Sequence, residues 1–418
     1  MKDSGIEWIG EIPEGWEVGQ IGQLYSERRT KVSDKDYPPL SVTMKGILPQ
    51  LSTAAKTDAH DDRKLVCKGD FAINSRSDRR GSCGISEQDG SISLINTVLQ
   101  PRGEMNPGYY NWLFHTSMFA DEFYKWGHGI VDDLWTTGWS DMKKIGVPVP
   151  SKCEQKQLAE HLNFECSNID TILSKTRSSI EEYKKLKQAV ITQAVTKGVR
   201  GEREMKDSGV EWIGKIPREF DPVQLKFFCK LITDGTHFSP TTVENGWPYI
   251  TAGDVHGIGL DYNSAKRISE EDFQLLVAQG CQPLKGDVLL VKDGATTGRV
   301  GFVDSDTPCV ILSSVAMLRP ADNTDGHYLM YLLASDFLQK QILVSMAGSA
   351  MPRTTLTKLT KYIGLLPPLH EQKEIANHLD AKCAEIDKLI AKKEQLVKEL
   401  ESYKKSLIYE VVTGKREV

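Results

Sequence analysis

With 418 residues, 39% apolar and 26% charged, the chain is long enough for two to four domains with real cores. No run of about 18 apolar residues occurs and no basic-then-apolar leader opens the chain, so a membrane span and a secretory signal are excluded and a cytoplasmic protein is expected. The net charge of −5 excludes a chain-wide basic footprint, and eight cysteines with no C-x-x-C pair read as reduced, mostly buried thiols rather than a disulfide frame or a zinc site.

The chain opens on MKDSGIEWIGEIP (1–13). A mixed body follows: KGDFAI (68–73), a basic loop NSRSDRRGSCG (74–84), a strand-like run SLINTVLQP (93–101) and one amphipathic helix over YYNWLFHTSMFADEFYKW (109–126). After Pro148 and Pro150 the sequence is helix material from Glu154 to about Val195, without proline or glycine. The opening tag then recurs as MKDSGVEWIGKIP (205–217), with eleven of thirteen positions identical. A second body carries the strand-like runs 287–291, 299–303 and 309–318 and one helix over 328–342. Pro367 and Pro368 precede a second helix from about Glu371 to Val412, and Glu154 and Glu371 in the first turns suit the helix dipole.

The repeat governs the reading of the whole chain. EQKQLAEHLNFECSNIDTI (154–172) matches EQKEIANHLDAKCAEIDKL (371–389), and KGDFAI matches KGDVLL (285–290), with Gly81 and Gly84 opposite Gly298 and Gly301. The offset is 204 at the tag and 217 at the later anchors, so thirteen extra residues lie between 217 and 285, and a longer loop is expected around Asp234–Asp254. The expected fold is α/β (α+β) throughout the bodies, in two tandem copies joined by a long antiparallel two-helix coiled coil, a pseudo-two-fold repeat. Body one is placed at 1–150, its helix at 151–200, body two at 201–368 and its helix at 369–418. A 3–4 seam is read through Ile169, Ile172, Thr176, Ser179, Tyr183, Leu186, Val190 and Gln193. The second seam runs through Ile386, Leu389, Lys393, Leu396, Leu400, Tyr403, Leu407 and Glu410. Each helix would be about 60 Å long and needs a partner, the nearest being the other; a separate protein for each seam is the alternative.

Candidate DNA-reading residues lie where the bodies diverge. They are Arg76, Arg79 and Arg80 in the first body, and Lys292, Thr296, Thr297 and Arg299 in VKDGATTGRVG of the second. Thr236 and His237 in DGTHFSP and Ser349 and Arg353 in AGSAMPRTTL complete the set. Arginine pairs bidentately with guanine, small hydroxyls reach base edges or phosphates, and glycine lets the backbone approach a phosphate. A solvated basic loop is the plainer reading of each taken singly. There is no Walker loop; Asn106-Pro107-Gly108-Tyr109 lacks the second proline of an adenine-methyltransferase loop; His370-Glu371 is not completed to H-E-x-x-H because position 374 is Glu. His161 and His378 occupy equivalent helix positions and read as structural. No catalytic residue, cofactor site or metal site is assigned to this chain.

SGxEWIGxIP, the KGD strand with its Gly-x-x-G, GSAMPR (348–353) and above all GLLPPLHEQKEIANHLD (364–380) resemble the specificity (S) subunit of type I restriction–modification enzymes. The first copy, GVPVPSKCEQKQLAEHLN (146–163), departs from the Pro-Pro-Leu pattern but keeps Glu-Gln-Lys. The resemblance spans essentially the whole chain. It implies a prokaryotic protein whose two bodies are target recognition domains, each reading one half of a bipartite, asymmetric double-stranded DNA site. It implies that the helices space the domains and dock two methyltransferase (M) subunits. These would carry S-adenosylmethionine and methylate adenine N6, while restriction (R) subunits would add cleavage driven by ATP and Mg. Two other readings stand beside it: a self-contained DNA-modifying enzyme with an unrecognised site, and a coiled-coil adaptor without DNA specificity.

Overall fold

The computed structural model describes residues 1–50, 60–129, 135–256, 259–346 and 352–418. No helix among them is long and apolar enough to cross a membrane. The chain forms two compact units, Met1–Arg177 with Gln395–Val418, and Ser178–Glu394. Their boundaries fall inside the long helices, so each unit holds a body together with part of each helix.

In the first unit a four-stranded antiparallel sheet is built from β1 (Tyr25–Glu27), β2 (Phe71–Asn74), β3 (Cys83–Ile85) and β4 (Asn96–Pro101), in the order β3-β2-β4-β1. In the second unit β5 (Cys229–Asp234), β6 (Val288–Val291), β7 (Val300–Phe302) and β8 (Val315–Pro320) repeat the order as β7-β6-β8-β5. Both sheets are covered on both faces, which is why β2 and β6 are buried at every position. Successive side chains point to opposite faces. Val288 and Leu290 therefore join a core with Leu329 and Leu332, while Leu289 and Val291 join another with Ile250 and Ile311. In the first unit Phe71 and Ile73 pack on Tyr110 and Phe114, and Ala72 on Leu40 and Val98.

Each expected body helix is in fact two. Pro107–Phe114 and Ser117–Lys125 are separated at Thr116, and Gly326–Ala334 and Asp336–Ser345 at Ser335. The hydroxyls take the backbone bonds that would continue the helix: Thr116 Oγ1 donates to Leu113 O (2.7 Å) and Ser335 Oγ to Leu332 O (2.6 Å). The second body carries strands Thr242–Val243 and Trp247–Ile250 and, further on, a helix Glu270–Ala278 capped by Ser269. The longer stretch expected at Asp234–Asp254 is present, and it carries two short strands rather than a bare loop because Trp247–Tyr249 pair with Lys266–Ile268 and Tyr249–Ile250 with Val310–Ile311. Residues 51–59, at the corresponding place in the first body, lie outside the described residues.

The long helices span Lys152–Lys197 and Leu369–Val412. Within the first unit their segments run antiparallel, with Asp170 paired to Lys404 (2.6 Å) and Arg177 to Glu401. Within the second unit Lys187 pairs with Asp387 (2.7 Å) and Arg200 with Glu374 (2.8 Å), again in opposite directions. The buried seam keeps Ile169, Thr176, Ile386 and Leu407 but replaces the alternate positions by the next residue. Leu173 is buried while Ile172 is 46% exposed, and Leu389, Leu396 and Tyr403 are exposed beside half-buried Ile390, Val397 and Lys404. Adjacent apolar pairs such as Ile172-Leu173 and Leu389-Ile390 leave a 3-then-4 and a 4-then-3 step equally apolar, and packing chooses between them.

Candidate nucleic-acid interface

The loop between β2 and β3 and the loop between β6 and β7 sit on the same backbone frame. Thr137 N donates to Ser75 O (3.0 Å), and Thr354 N to Lys292 O (2.9 Å). Arg76 bridges to Thr136, and Asp293 to Arg353. All four correspondences carry the offset of 217 read from the sequence. Arg76, Arg79 and Arg80 thus stand where the second body has Asp293, Thr296 and Thr297, and Arg353 stands where the first body has Thr136. The cation has changed sides of one bridge: it lies on the hairpin loop in the first body and on the opposing segment in the second.

In the first unit a short 3-10 turn, Ser77–Arg79, and Gly81 at φ +72° carry the chain round the loop. Arg76 and Arg79 are exposed, Arg79 lying 3.6 Å from Asp78. Arg80 is held more firmly, its guanidinium 3.2 Å from Asp121 and 3.7 Å above the Tyr124 ring. Arg76 and Arg80 line one small cavity with Tyr124 and Trp135.

In the second unit the candidates divide. Lys292 is buried, 3% exposed, with its ammonium 2.9 Å from Asp293 and 3.3 Å from Asp234. Asp293 in turn lies 2.9 Å from Arg353 Nε, and Asp234 lies 3.6 Å from His237 Nε2. Arg353 and His237 are exposed. Thr236 is buried, its N–H and C=O bonded to Ile311 O (3.1 Å) and Ser313 N (2.9 Å), so it serves the frame. Thr297 Oγ1 closes the loop on Gly294 O (2.7 Å) and Pro352 O (3.1 Å), and half-buried Thr296 accepts from Arg299 N (3.1 Å). Arg299 is exposed but lines a separate groove with Gln188, Asp336 and Asp387. Ser349 lies outside the described residues.

At the opposite end of each hairpin from its loop a buried carboxylate anchors the sheet. Asp70 accepts from Arg28 Nε (2.6 Å), Arg28 Nη2 (3.2 Å) and Cys67 N (2.9 Å). Asp287 accepts from Arg319 Nε (2.9 Å), Arg319 Nη2 (2.7 Å) and Leu284 N (2.8 Å). The hydrogen bond to the carboxylate raises each guanidinium further above its usual range. The two arginines come from non-equivalent places, Arg28 just after β1 and Arg319 within β8, so the KGD aspartate recurs while its partner does not. Sequence reasoning also passed over Gln155 and Gln372. Gln155 donates to Pro150 O (2.9 Å) and accepts from Asn106 N (2.8 Å). Gln372 donates to Pro367 O and Asn323 O (both 2.9 Å) and accepts from Asp325 N (2.9 Å). Each glutamine pins the start of a long helix to its body. Their presence in both copies of the Glu-Gln-Lys string was the available signal.

The chain matches the family described as type I restriction modification DNA specificity domain over residues 217–399. It is 26% identical to the type I restriction enzyme MjaVIII specificity subunit of Methanocaldococcus jannaschii, covering 97% of this chain and 93% of that one. It is 24% identical to the EcoBI specificity subunit of Escherichia coli over 58% of this chain and 52% of that one. Its fold is similar to a chain from a type I R-M system studied for complex assembly and conformational transition, with a TM-score of 0.75 at 15% identity, covering 97% of this chain and 100% of that one. The HsdS subunit of Thermoanaerobacter tengcongensis is similar with a TM-score of 0.53 at 17% identity, covering 97% and 98%. Domain match and end-to-end sequence similarity agree that the chain is HsdS-like, similar to the DNA specificity subunits of type I restriction–modification enzymes, whose fold it shares.

Proposed function

We propose that each body reads one half of a bipartite, asymmetric double-stranded DNA site and that the chain does no chemistry of its own. The observation that carries this is the shared loop frame bearing unlike side chains: Arg76, Arg79, Arg80 and Thr136 on one copy, Asp293, Thr296, Thr297 and Arg353 at the matching places of the other. A common backbone with exchanged donors and acceptors is what two readers of different base sequences need. The long helices set the separation of the half-sites, of the order of one helical turn or ~34 Å. They also dock two methyltransferase subunits, one per unit. Exposed apolar side chains suit that docking: Ile172, Leu396 and Tyr403 in the first unit, Leu186 and Leu389 in the second. The methyltransferase subunits bind S-adenosylmethionine and methylate adenine N6 in an extruded base. Restriction subunits add cleavage with ATP and Mg. Such partners supply phosphate contacts that a chain of net charge −5 does not.

The test is to express the chain with its methyltransferase in a methylation-free host and sequence the modified adenines. A bipartite motif should emerge. Exchanging residues 14–147 for those of another family member should alter one half of it only. Absence of a motif, or a change in both halves, would contradict the reading. So would tight stoichiometric binding of S-adenosylmethionine to the isolated chain.

A further inference from the structure

We propose that buried Lys292 is the positioning residue of the second body's recognition loop, holding Asp293 so that Arg353 is presented to the DNA in one orientation. The inference rests on the reading that this loop contacts DNA. It goes beyond that reading in giving Lys292, the basic side chain of the segment that is inside the protein, a task other than contact.

Four charges of alternating sign run from the end of β5 to the surface. Asp234 lies 3.3 Å from Lys292, Lys292 lies 2.9 Å from Asp293, and Asp293 lies 2.9 Å from Arg353. Exposure is lowest at Lys292, 3%, and rises through Asp293 to 61% at Arg353, while Asp234 on the other side of Lys292 is 18% exposed. The middle of the series is therefore inside and Arg353 meets solvent.

The ammonium is not needed to hold the backbone. Gly294 N donates to Pro352 O (3.0 Å) and Thr354 N to Lys292 O (2.9 Å), which fixes the two segments through main-chain bonds. The first body makes the matching bridge with Ser75 in the place of Lys292, where Ser75 Oγ meets Thr97 Oγ1 at 3.0 Å. A neutral hydroxyl pair is thus sufficient for the frame. What the second body adds is control over side chains. Arginine has many rotamers, and fixing one before the DNA arrives removes an ordering cost from binding. It also makes the guanidinium discriminate, because a bidentate fork separates the right base from the wrong one only when its plane is set. Lys292 alone between Asp234 and Asp293 would be a neutralising core charge. The onward contact to exposed Arg353 gives that charge an outlet at the surface.

The experiment uses the complex with its methyltransferase and duplex oligonucleotides carrying the sequenced motif or its single-base variants in either half. Lys292→Met keeps the aliphatic stem and removes the charge. We expect about tenfold loss of discrimination at one or two positions of the second half-site, the scale of one bidentate base contact. The first half-site should be unchanged, and Lys292→Arg should restore part of the loss. Should Lys292→Met fail to fold, Asp293→Asn, which breaks the same series nearer the surface, decides the question by the same readout. Full discrimination in the folded Lys292→Met or Asp293→Asn complex overturns the positioning role. Arg353→Ala separates the two levels. If it matters while Lys292→Met does not, the positioning fails and the reading of DNA by this loop stands. If Arg353→Ala leaves the second half-site intact, the reading of this loop fails and the positioning role falls with it.

Discussion

Replacing Asp287 by alanine should unfold the second unit at markedly lower denaturant. The carboxylate is nearly fully buried and accepts two bonds from Arg319, at 2.9 and 2.7 Å, and one from Leu284 N at 2.8 Å. Its loss leaves a guanidinium without a counter-ion and a backbone N–H without an acceptor. Breaking a buried pair costs about 3–5 kcal/mol. Arg319 is 23% exposed and keeps some water, so about 2–4 kcal/mol is expected. Arg319→Met strands the less exposed partner and should cost about 3–5 kcal/mol. With a urea slope of about 2–3 kcal/mol per molar, either change moves the midpoint by roughly 1–2 M. Hydrogen exchange in Val288–Val291 and Val315–Pro320 reports this unit apart from the first. The combined Asp287→Ala/Arg319→Met variant should be less damaged than the sum, with a coupling of about 2 kcal/mol, since an apolar replacement of both charges leaves neither stranded. Additive effects, or a single variant within about 0.5 kcal/mol of wild type, the range of ordinary surface changes, would refute the reasoning.

Two further outcomes test the helices. Leu173→Ala should cost about 2–4 kcal/mol and its neighbour Ile172→Ala less than about 1 kcal/mol in urea unfolding, because only Leu173 is in the seam; equal effects would return the seam to the other register. Glu154 caps the first long helix: Ser151 N donates to it (2.9 Å), Glu154 N donates to Ser151 Oγ (3.3 Å), and Trp16 Nε1 donates to it (3.1 Å). The bonds from Ser151 hold its carboxyl below the ordinary value of 4.5. A lowered folded value means stability that is present above pH 4.5 and lost as pH falls through the folded value. Glu154→Gln should therefore be less stable at neutral pH and show a shallower acid limb; an unchanged limb would show that the cap does not titrate with folding.

Much of this architecture is local and was legible in the chain. The duplicated tag, the offset of 217 and the helix limits follow from residues read against their neighbours. Proline before Glu154 and Glu371, and the absence of proline and glycine after them, placed helices that the structure extends by only two residues at each end of the first. Such signals need no partner from elsewhere in the fold. The breaks at Thr116 and Ser335 were also local, but an apolar pattern running through both concealed hydroxyls that compete for the backbone.

The candidate site was legible only as a collection of segments. Arg299 and Arg353 carry the same sequence signal, yet one lines a groove with Gln188 and Asp387 while the other ends the charge series from Asp234. Lys292 and Arg79 both read as basic loop residues, and burial separates them. The alternation of the chain can say that a side chain is charged. Whether that charge meets water or two carboxylates depends on β5 and on the segment at Arg353, both distant in sequence. So the chain by itself determined the repeat, the helices and the family resemblance. Tertiary packing decided the seam register, the anchoring by Gln155 and Gln372, and which cations face outward, because each of those depends on contacts between residues far apart in sequence.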